Sequence, residues 1–167
     1  MGIWQDVRVK FGNELEIVDT HVIADLPLPD TTSVNFIVQT EIYNSSKTTC
    51  TANLHFNIGG VSAVYPVSLN ANEKRMIKLT PHECKELQMK SPRLWWPNGY
   101  GEQYLYKASL SLISPNKDTL DVKKMRIGIR ELEYELSAYE DNAPVVRLNY
   151  NPTAALQDGN HACKALV

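Results

Sequence analysis

The stretch Cys50-Thr51-Ala52-Asn53-Leu54-His55-Phe56-Asn57-Ile58 decides the fold. Cys50, Ala52, Leu54, Phe56 and Ile58 are apolar, and the residues between them, Thr51, Asn53, His55 and Asn57, are polar. Successive side chains of a β-strand point to opposite faces, so strict alternation marks a strand with one buried face and one wet face. A parallel sheet covered on both sides would instead give a continuous apolar run. The stretch therefore predicts an antiparallel sheet packed on one side.

The same period extends in both directions. In 34–43 the even positions Val34, Phe36, Val38, Thr40 and Ile42 face one way, and Asn35, Gln39 and Glu41 the other, with Ile37 as the exception. In 104–112 Tyr104, Tyr106, Ala108, Leu110 and Leu112 alternate with Lys107, Ser109 and Ser111. Further strands are expected at about 15–25, 62–69, 73–80, 120–129 and 132–139. Turn-forming clusters separate them: Pro27-Leu28-Pro29-Asp30, Asn44-Ser45-Ser46, Gly59-Gly60, Asn70-Ala71-Asn72, Pro97-Asn98-Gly99 and Ser114-Pro115-Asn116. One helical turn is expected near Pro81–Leu87. About seven or eight strands in roughly 125 residues predict an all-β fold, an immunoglobulin-like antiparallel β-sandwich; a barrel is the alternative. Val7, Val9 and Phe11 alternate apart from this set, and the period decays after about Tyr139. The expected organisation is thus a separate strand in 1–12, the sandwich in 13–140, and a poorly patterned tail in 141–167.

Composition narrows the function classes. In 167 residues, 17 basic and 19 acidic side chains leave a net charge of −2. A general nucleic-acid binder needs a basic face, and a polybasic membrane patch needs the same, so neither partner is expected. No apolar run approaches the roughly 20 residues that span a bilayer. Met1-Gly2-Ile3-Trp4-Gln5-Asp6 carries neither the basic nor the apolar region of a signal peptide, so none is expected in this chain. Cys50, Cys84 and Cys163 match no metal-binding spacing; one bridge and three free thiols both remain open.

The search for catalytic constellations is thin. No GxSxG, HExxH or phosphate-binding glycine loop is present. His21, His55, His82 and His161 are scattered; His82 and Cys84 would supply two metal ligands where a closed site needs about four. No metal and no cofactor are expected. Glycoside hydrolysis uses paired carboxylates. Glu131, Glu133 and Glu135 share one face of a strand and read as its wet side. Asn44-Ser45-Ser46 fits an N-glycosylation acceptor, a pattern common by chance. The aromatic run Leu94-Trp95-Trp96-Pro97-Asn98-Gly99-Tyr100-Gly101, followed by Tyr104 and Tyr106, says more. Trp95, Trp96 and Tyr100 are candidates for stacking on sugar rings, but packing or contact between domains outweighs that reading, because tryptophan and tyrosine serve cores and interfaces equally well.

The run from Arg93 to Tyr106, RLWWPNGYGEQYLY, resembles the WWPNGxGxQxLY segment of glycoside hydrolase family 2, closest to its β-mannosidase and exo-β-D-glucosaminidase branch. Gly2-Ile3-Trp4-Gln5-Asp6-Val7 is similar to the GIWxxV strand that closes that family's sugar-binding jelly roll. Ile127-Gly128-Ile129-Arg130-Glu131 is similar to the FGIRE element ending its immunoglobulin-like domain, and Asp19-Thr20-His21-Val22 to that domain's opening strand. The resemblance implies a domain joining a jelly roll to a (β/α)8 barrel. Both catalytic glutamates of the family lie in the barrel, so it carries no catalytic residue onto this chain. It implies motif and interdomain packing roles for Trp4, Trp95, Trp96, Pro97, Asn98, Gly99, Gly101, Gly128 and Arg130. Partners would be the jelly roll and barrel of the same parent, with carbohydrate met only through that parent, in the periplasm or outside the cell. After about Asp141 the sequence departs from the family pattern, which would lead into the barrel. A freestanding carbohydrate-binding or adhesion module is the alternative.

Overall fold

The computed structural model describes residues 13–28, 30–140 and 143–150. Ten strands follow in order: β1 (Leu15–Asp25), β2 (Ser33–Asn44), β3 (Cys50–Ile58), β4 (Val61–Leu69), β5 (Lys74–Leu79), β6 (Gln88–Lys90), β7 (Tyr106–Ile113), β8 (Thr119–Ile127), β9 (Leu132–Glu140) and β10 (Ala143–Tyr150). One sheet has the order β1-β2-β5, with β6 also pairing β2; the second has the order β4-β3-β7-β8. Every pairing is antiparallel. The eight strands of these two sheets make a sandwich, and no ladder joins the sheets into a barrel among the described residues.

The period-two reading holds residue by residue. Along β2 burial alternates without a break, and Val34, Phe36, Val38, Thr40 and Ile42 all point inward. From the other sheet Leu54, Phe56, Ile58, Leu110 and Leu112 meet them. The Phe36 and Phe56 rings face each other across the sandwich at 6.2 Å between centroids, tilted by 59°, within the range of favourable aromatic pairs. Thr40 is the polar member of this set. Its hydroxyl donates to the Asp19 carbonyl at 2.9 Å, which removes the penalty of burying it. Ile37, the exception in the pattern, lies on the outer face opposite Ile23 of β1.

The structure departs from expectation in four places, the first being that β9, expected within the 13–140 sandwich, joins neither of its sheets and pairs with β10. The strand expected at 104–112 starts only at Tyr106, because Trp95 and Gln103 bridge first and hold 96–102 as a loop. A three-residue strand, β6, follows the turn at 81–87; three residues are too few to show a period, although Met89 at its centre is buried. The span 141–167, expected to carry little pattern, contains β10, which pairs with β9 in a two-stranded ladder. The expectations for residues 1–12 and 151–167, including Trp4 and Cys163, lie outside the described residues.

The turn before β6 has a local cause. Thr80 accepts from the Cys84 amide at 3.0 Å, closing one helical turn. Glu83 accepts from the Thr80 amide at 2.9 Å and also from the Thr80 hydroxyl. With Pro81 at the first helical position, Thr80-Pro81-His82-Glu83 is a capping box around a single turn. These donors hold the Glu83 carboxyl below its ordinary range.

The β3–β4 hairpin turns on Gly59 and Gly60, with φ of +52° and +91°. Two positive values in a two-residue loop give the type I′ turn that matches strand twist. A Cβ on Gly59 would lie 2.6 Å from Tyr106 Cδ1, whereas one on Gly60 would meet open space. Gly59→Ala is therefore expected to cost about 2 kcal/mol, combining backbone strain with a clash. Gly60→Ala should cost about 1 kcal/mol, from strain alone. Urea melts check this; equal losses at the two positions would contradict the packing role of Gly59.

The registers fix which ends of the strands coincide. Leu15 pairs with Asn44 and Asp25 with Asn35, while Tyr106 pairs with Ile127. The chain thus enters the sandwich at the Asn44 end and leaves β8 at the opposite end, roughly 30 Å away at 3.3 Å per residue. Across the layers, the Ile17 amide donates to Asp121 Oδ2 at 2.8 Å and Asn13 Nδ2 donates to the Leu120 carbonyl at 2.7 Å. The β1 register shifts between Ile17 and Asp19, beside the first of these bonds.

Candidate functional site

The end of the sandwich where β8 finishes carries nearly every described residue singled out by motif. The loop 91–105 crosses from β6 in one sheet to β7 in the other, and residues 128–131 lead out of β8 towards β9. The two segments are tied together. The Trp95 amide donates to the Ile129 carbonyl at 2.8 Å, and the Trp96 amide to the Glu102 carbonyl at 3.0 Å. Pro97-Asn98-Gly99-Tyr100 is a turn closed by the Tyr100 amide on the Pro97 carbonyl at 3.1 Å. Gly99 has φ +85° at its third position, where a type II turn calls for glycine.

The two tryptophans use the remaining glycines as seats. A Cβ on Gly128 would lie 3.1 Å from Trp95 Cβ, Cγ and Cδ1, and a Cβ on Gly101 would lie 2.7 Å from Trp96 Cγ and Cδ1. Both indoles are half-buried. Arg130, exposed, places its guanidinium carbon 4.9 Å from the centre of the Trp95 ring, inside cation–π range. Motif residues from separate stretches of the sequence, Trp95 with Gly128 and Arg130, are thus one packed unit.

A second cluster, which the sequence reading missed, supports the first. The Arg93 guanidinium lies 4.0 Å from the centre of the Tyr104 ring and pairs with Glu102 at 2.6 Å. The Glu102 hydrogen bond, with that residue's charge, raises the Arg93 pKa further. Tyr104 meets Tyr106 edge to face, centroids 4.7 Å apart. The Tyr106 hydroxyl accepts the Arg93 amide at 2.7 Å. The available signal was Arg93 and Glu102 flanking the aromatic run. Tyr100, at the turn tip, is 58% exposed.

Other candidates sort differently. His82 is fully on the surface while Cys84 faces inward, so the turn points the two supposed ligands apart. Burial, with the Glu86 and Glu83 charges, pushes the Cys84 thiol up, away from a ligating thiolate. Cys50 and Cys84 are both free. Among the described residues no three His, Cys, Asp or Glu side chains group as a metal site. Glu131 Oε2 accepts from the Leu26 amide at 3.5 Å; the expectation for the Glu133 and Glu135 side chains lies outside the described residues. Asn44, the glycosylation candidate, is fully buried. Its Nδ2 lies 2.8, 3.2 and 2.9 Å from the carbonyls of Thr48, Leu69 and Asn70. Its Oδ1 accepts the Ser46 amide at 3.0 Å and hydroxyl at 2.8 Å. The folded side chain has no room for a glycan, because both ends of its amide are occupied.

Comparison with known proteins places this arrangement. The model of the family described as "Glycosyl hydrolases family 2" matches residues 15–130. The exo-beta-D-glucosaminidase of Streptomyces avermitilis is 33% identical over 138 residues, covering 83% of this chain and 15% of that protein. Beta-mannosidase B of Emericella nidulans is 31% identical over 137 residues, covering 79% of this chain and 14% of that protein. The chain therefore spans about one seventh of the length of these relatives. The fold matches the crystal structure of Amycolatopsis orientalis exo-chitosanase CsxA with a TM-score of 0.76 at 23% identity, covering 91% of this chain and 17% of that one.

Proposed function

The chain belongs to glycosyl hydrolase family 2, and from that premise we propose that it is a non-catalytic linking domain of a larger glycosidase. Its task is to hold a sugar-binding jelly roll and a catalytic (β/α)8 barrel of the same parent at fixed spacing. The parent would hydrolyse β-glucosaminides or β-mannosides, in the periplasm or outside the cell, as part of carbohydrate metabolism. The observation that carries the proposal is the placement of the start of β1 and the end of β8 at opposite ends of the sandwich. A spacer needs that geometry, and the exit is locked by Trp95, Gly128 and Arg130. In the 1–12, 13–140, 141–167 organisation, the outer spans belong to the junctions. Trp95, Trp96, Pro97, Asn98, Gly99 and Gly101 brace the exit rather than touch substrate.

The purified 167 residues are expected to show no turnover of nitrophenyl β-glucosaminide or β-mannoside. Reproducible activity that tracks with the protein through purification would overturn the proposal. The exposure of Tyr100 favours one second reading, a freestanding carbohydrate-binding module. Titration with chito- and manno-oligosaccharides, followed by tryptophan fluorescence, separates the two. A saturable response lost in Tyr100→Ala, with an unaltered melting temperature, would favour the module.

A further inference from the structure

On the outer face of the second sheet, far from any family motif, Lys107 of β7 stands directly opposite Arg126 of β8. Lys124, two residues along β8, points to the same face opposite Ser109. All three cations are exposed, and none has a salt bridge or hydrogen bond among the described residues. With Ser109 and the apolar Ala108 and Met125 they line an open hollow of about 630 Å³. Like charges directly across a ladder oppose each other, so this arrangement destabilises the free protein. Protection of an exposed sheet edge explains lysine and arginine on β8, the edge strand. It does not explain Lys107, which lies on β7, between β3 and β8. Directly opposed residues lie about 5 Å apart at Cα and alternate ones on a strand about 7 Å apart. Three long, flexible cationic side chains at those spacings can converge on a single small ligand, with a hydroxyl at the base of the hollow.

We propose that this hollow binds a small, multiply charged anion, one carrying two or more phosphate or carboxylate oxygens. The anion draws the Lys107, Lys124 and Arg126 heads together, and the repulsion between them becomes attraction to it. Arginine supplies a planar fork for two oxygens and lysine a point charge, the pairing suited to phosphate and carboxylate groups. The site is independent of the linking role and holds whether or not that role does.

The test titrates the 167-residue chain with inorganic phosphate and, separately, with citrate, at constant ionic strength set by sodium chloride. Binding is read from backbone amide chemical shifts and from the thermal midpoint. Saturable shifts confined to β7 and β8 are expected, with affinity weakened at least tenfold in Lys107→Ser and in Arg126→Ser. Lys78→Ser removes the same charge from the other sheet and should bind as the unaltered protein does, which excludes a general salt effect. The stronger of the two probes tells a phosphate-bearing from a carboxylate-bearing ligand. Without added anion, Lys107→Ser should melt at or above the unaltered protein. The proposal is overturned if neither probe gives a saturable response, or if the response survives in Lys107→Ser.

Discussion

Asn44→Asp is expected to lower the stability of this domain by about 3 kcal/mol at pH 7, the cost of a buried charge with no opposite charge beside it, although the Ser46 amide and hydroxyl still donate to one of its oxygens. The substitution keeps the shape of the side chain and replaces two N–H donors by an acceptor. Three carbonyl oxygens, of Thr48, Leu69 and Asn70, then face a carboxylate. Leu69 closes β4 in one sheet and Asn44 closes β2 in the other, so the amide fastens the two layers at the entry end. The sign with pH follows. The folded state disfavours the charged form, so the new carboxyl has a folded pKa above its unfolded value near 3.9. The deficit against the unaltered protein therefore grows as pH rises through and beyond that value, and shrinks towards acid. It does not vanish there, because a protonated carboxyl offers one donor where the amide offers two. Urea unfolding at pH 4 and pH 7 checks both parts. A loss at pH 7 below about 1 kcal/mol would show that the amide does not fasten the layers.

Asn44 also shows what the sequence held and what it hid. The even-numbered inward set Val34, Phe36, Val38, Thr40 and Ile42 continues by simple counting to residue 44, and the structure buries it with the rest. The tripeptide Asn44-Ser45-Ser46 fits a glycosylation acceptor, which would need Asn44 on the surface. Continuing the period one step further would have placed it in the core, with Ser46 two residues on as a local partner. Periodicity is legible because one rule of alternation governs every two-layer antiparallel sheet; it located seven of the eight sandwich strands. It fails for Gln88–Lys90, which is set by the capped turn before it and by pairing to Ser33–Asn35. It also cannot report what binds at right angles to the strands. The Asp121 carboxylate on the Ile17 amide joins residues more than a hundred positions apart and leaves no local signal.

The aromatic end was legible in a different way. Residue types and spacing marked 93–106 and 127–131 as motifs, but only the structure shows why the first carries two tryptophans and each carries a glycine that one of them packs against. Trp95 lies against the position where a Gly128 Cβ would sit, and Trp96 against that of Gly101. Each glycine is the missing side chain into which an indole settles. This pairing across the loop and the exit segment is a packing constraint, and it requires no sugar.

Trp95→Ala is accordingly expected to destabilise the domain by about 2–4 kcal/mol. That is less than full burial of a tryptophan would imply, since the indole is only half-buried. Gly128→Val should approach the same loss from the opposite partner, because its methyl groups would occupy the space of the indole. The double variant should then lose much less than the sum of the two, since each change removes the same contact. Arg130→Ala removes a cation–π contact at an exposed site and should cost only about 0.5–1 kcal/mol in the isolated domain. Thermal and urea melts of the four proteins give these values. Within the proposed parent glycosidase the order should change. If the exit is a junction, Arg130→Ala and Trp96→Ala should loosen domain docking, seen as earlier proteolysis and a lower melting temperature, while the ratio of kcat/KM between β-glucosaminide and β-mannoside stays the same. A changed ratio with an unaltered melting temperature would instead place these side chains at the substrate. The additivity test decides the local packing and the ratio decides the role, so the two can fail separately.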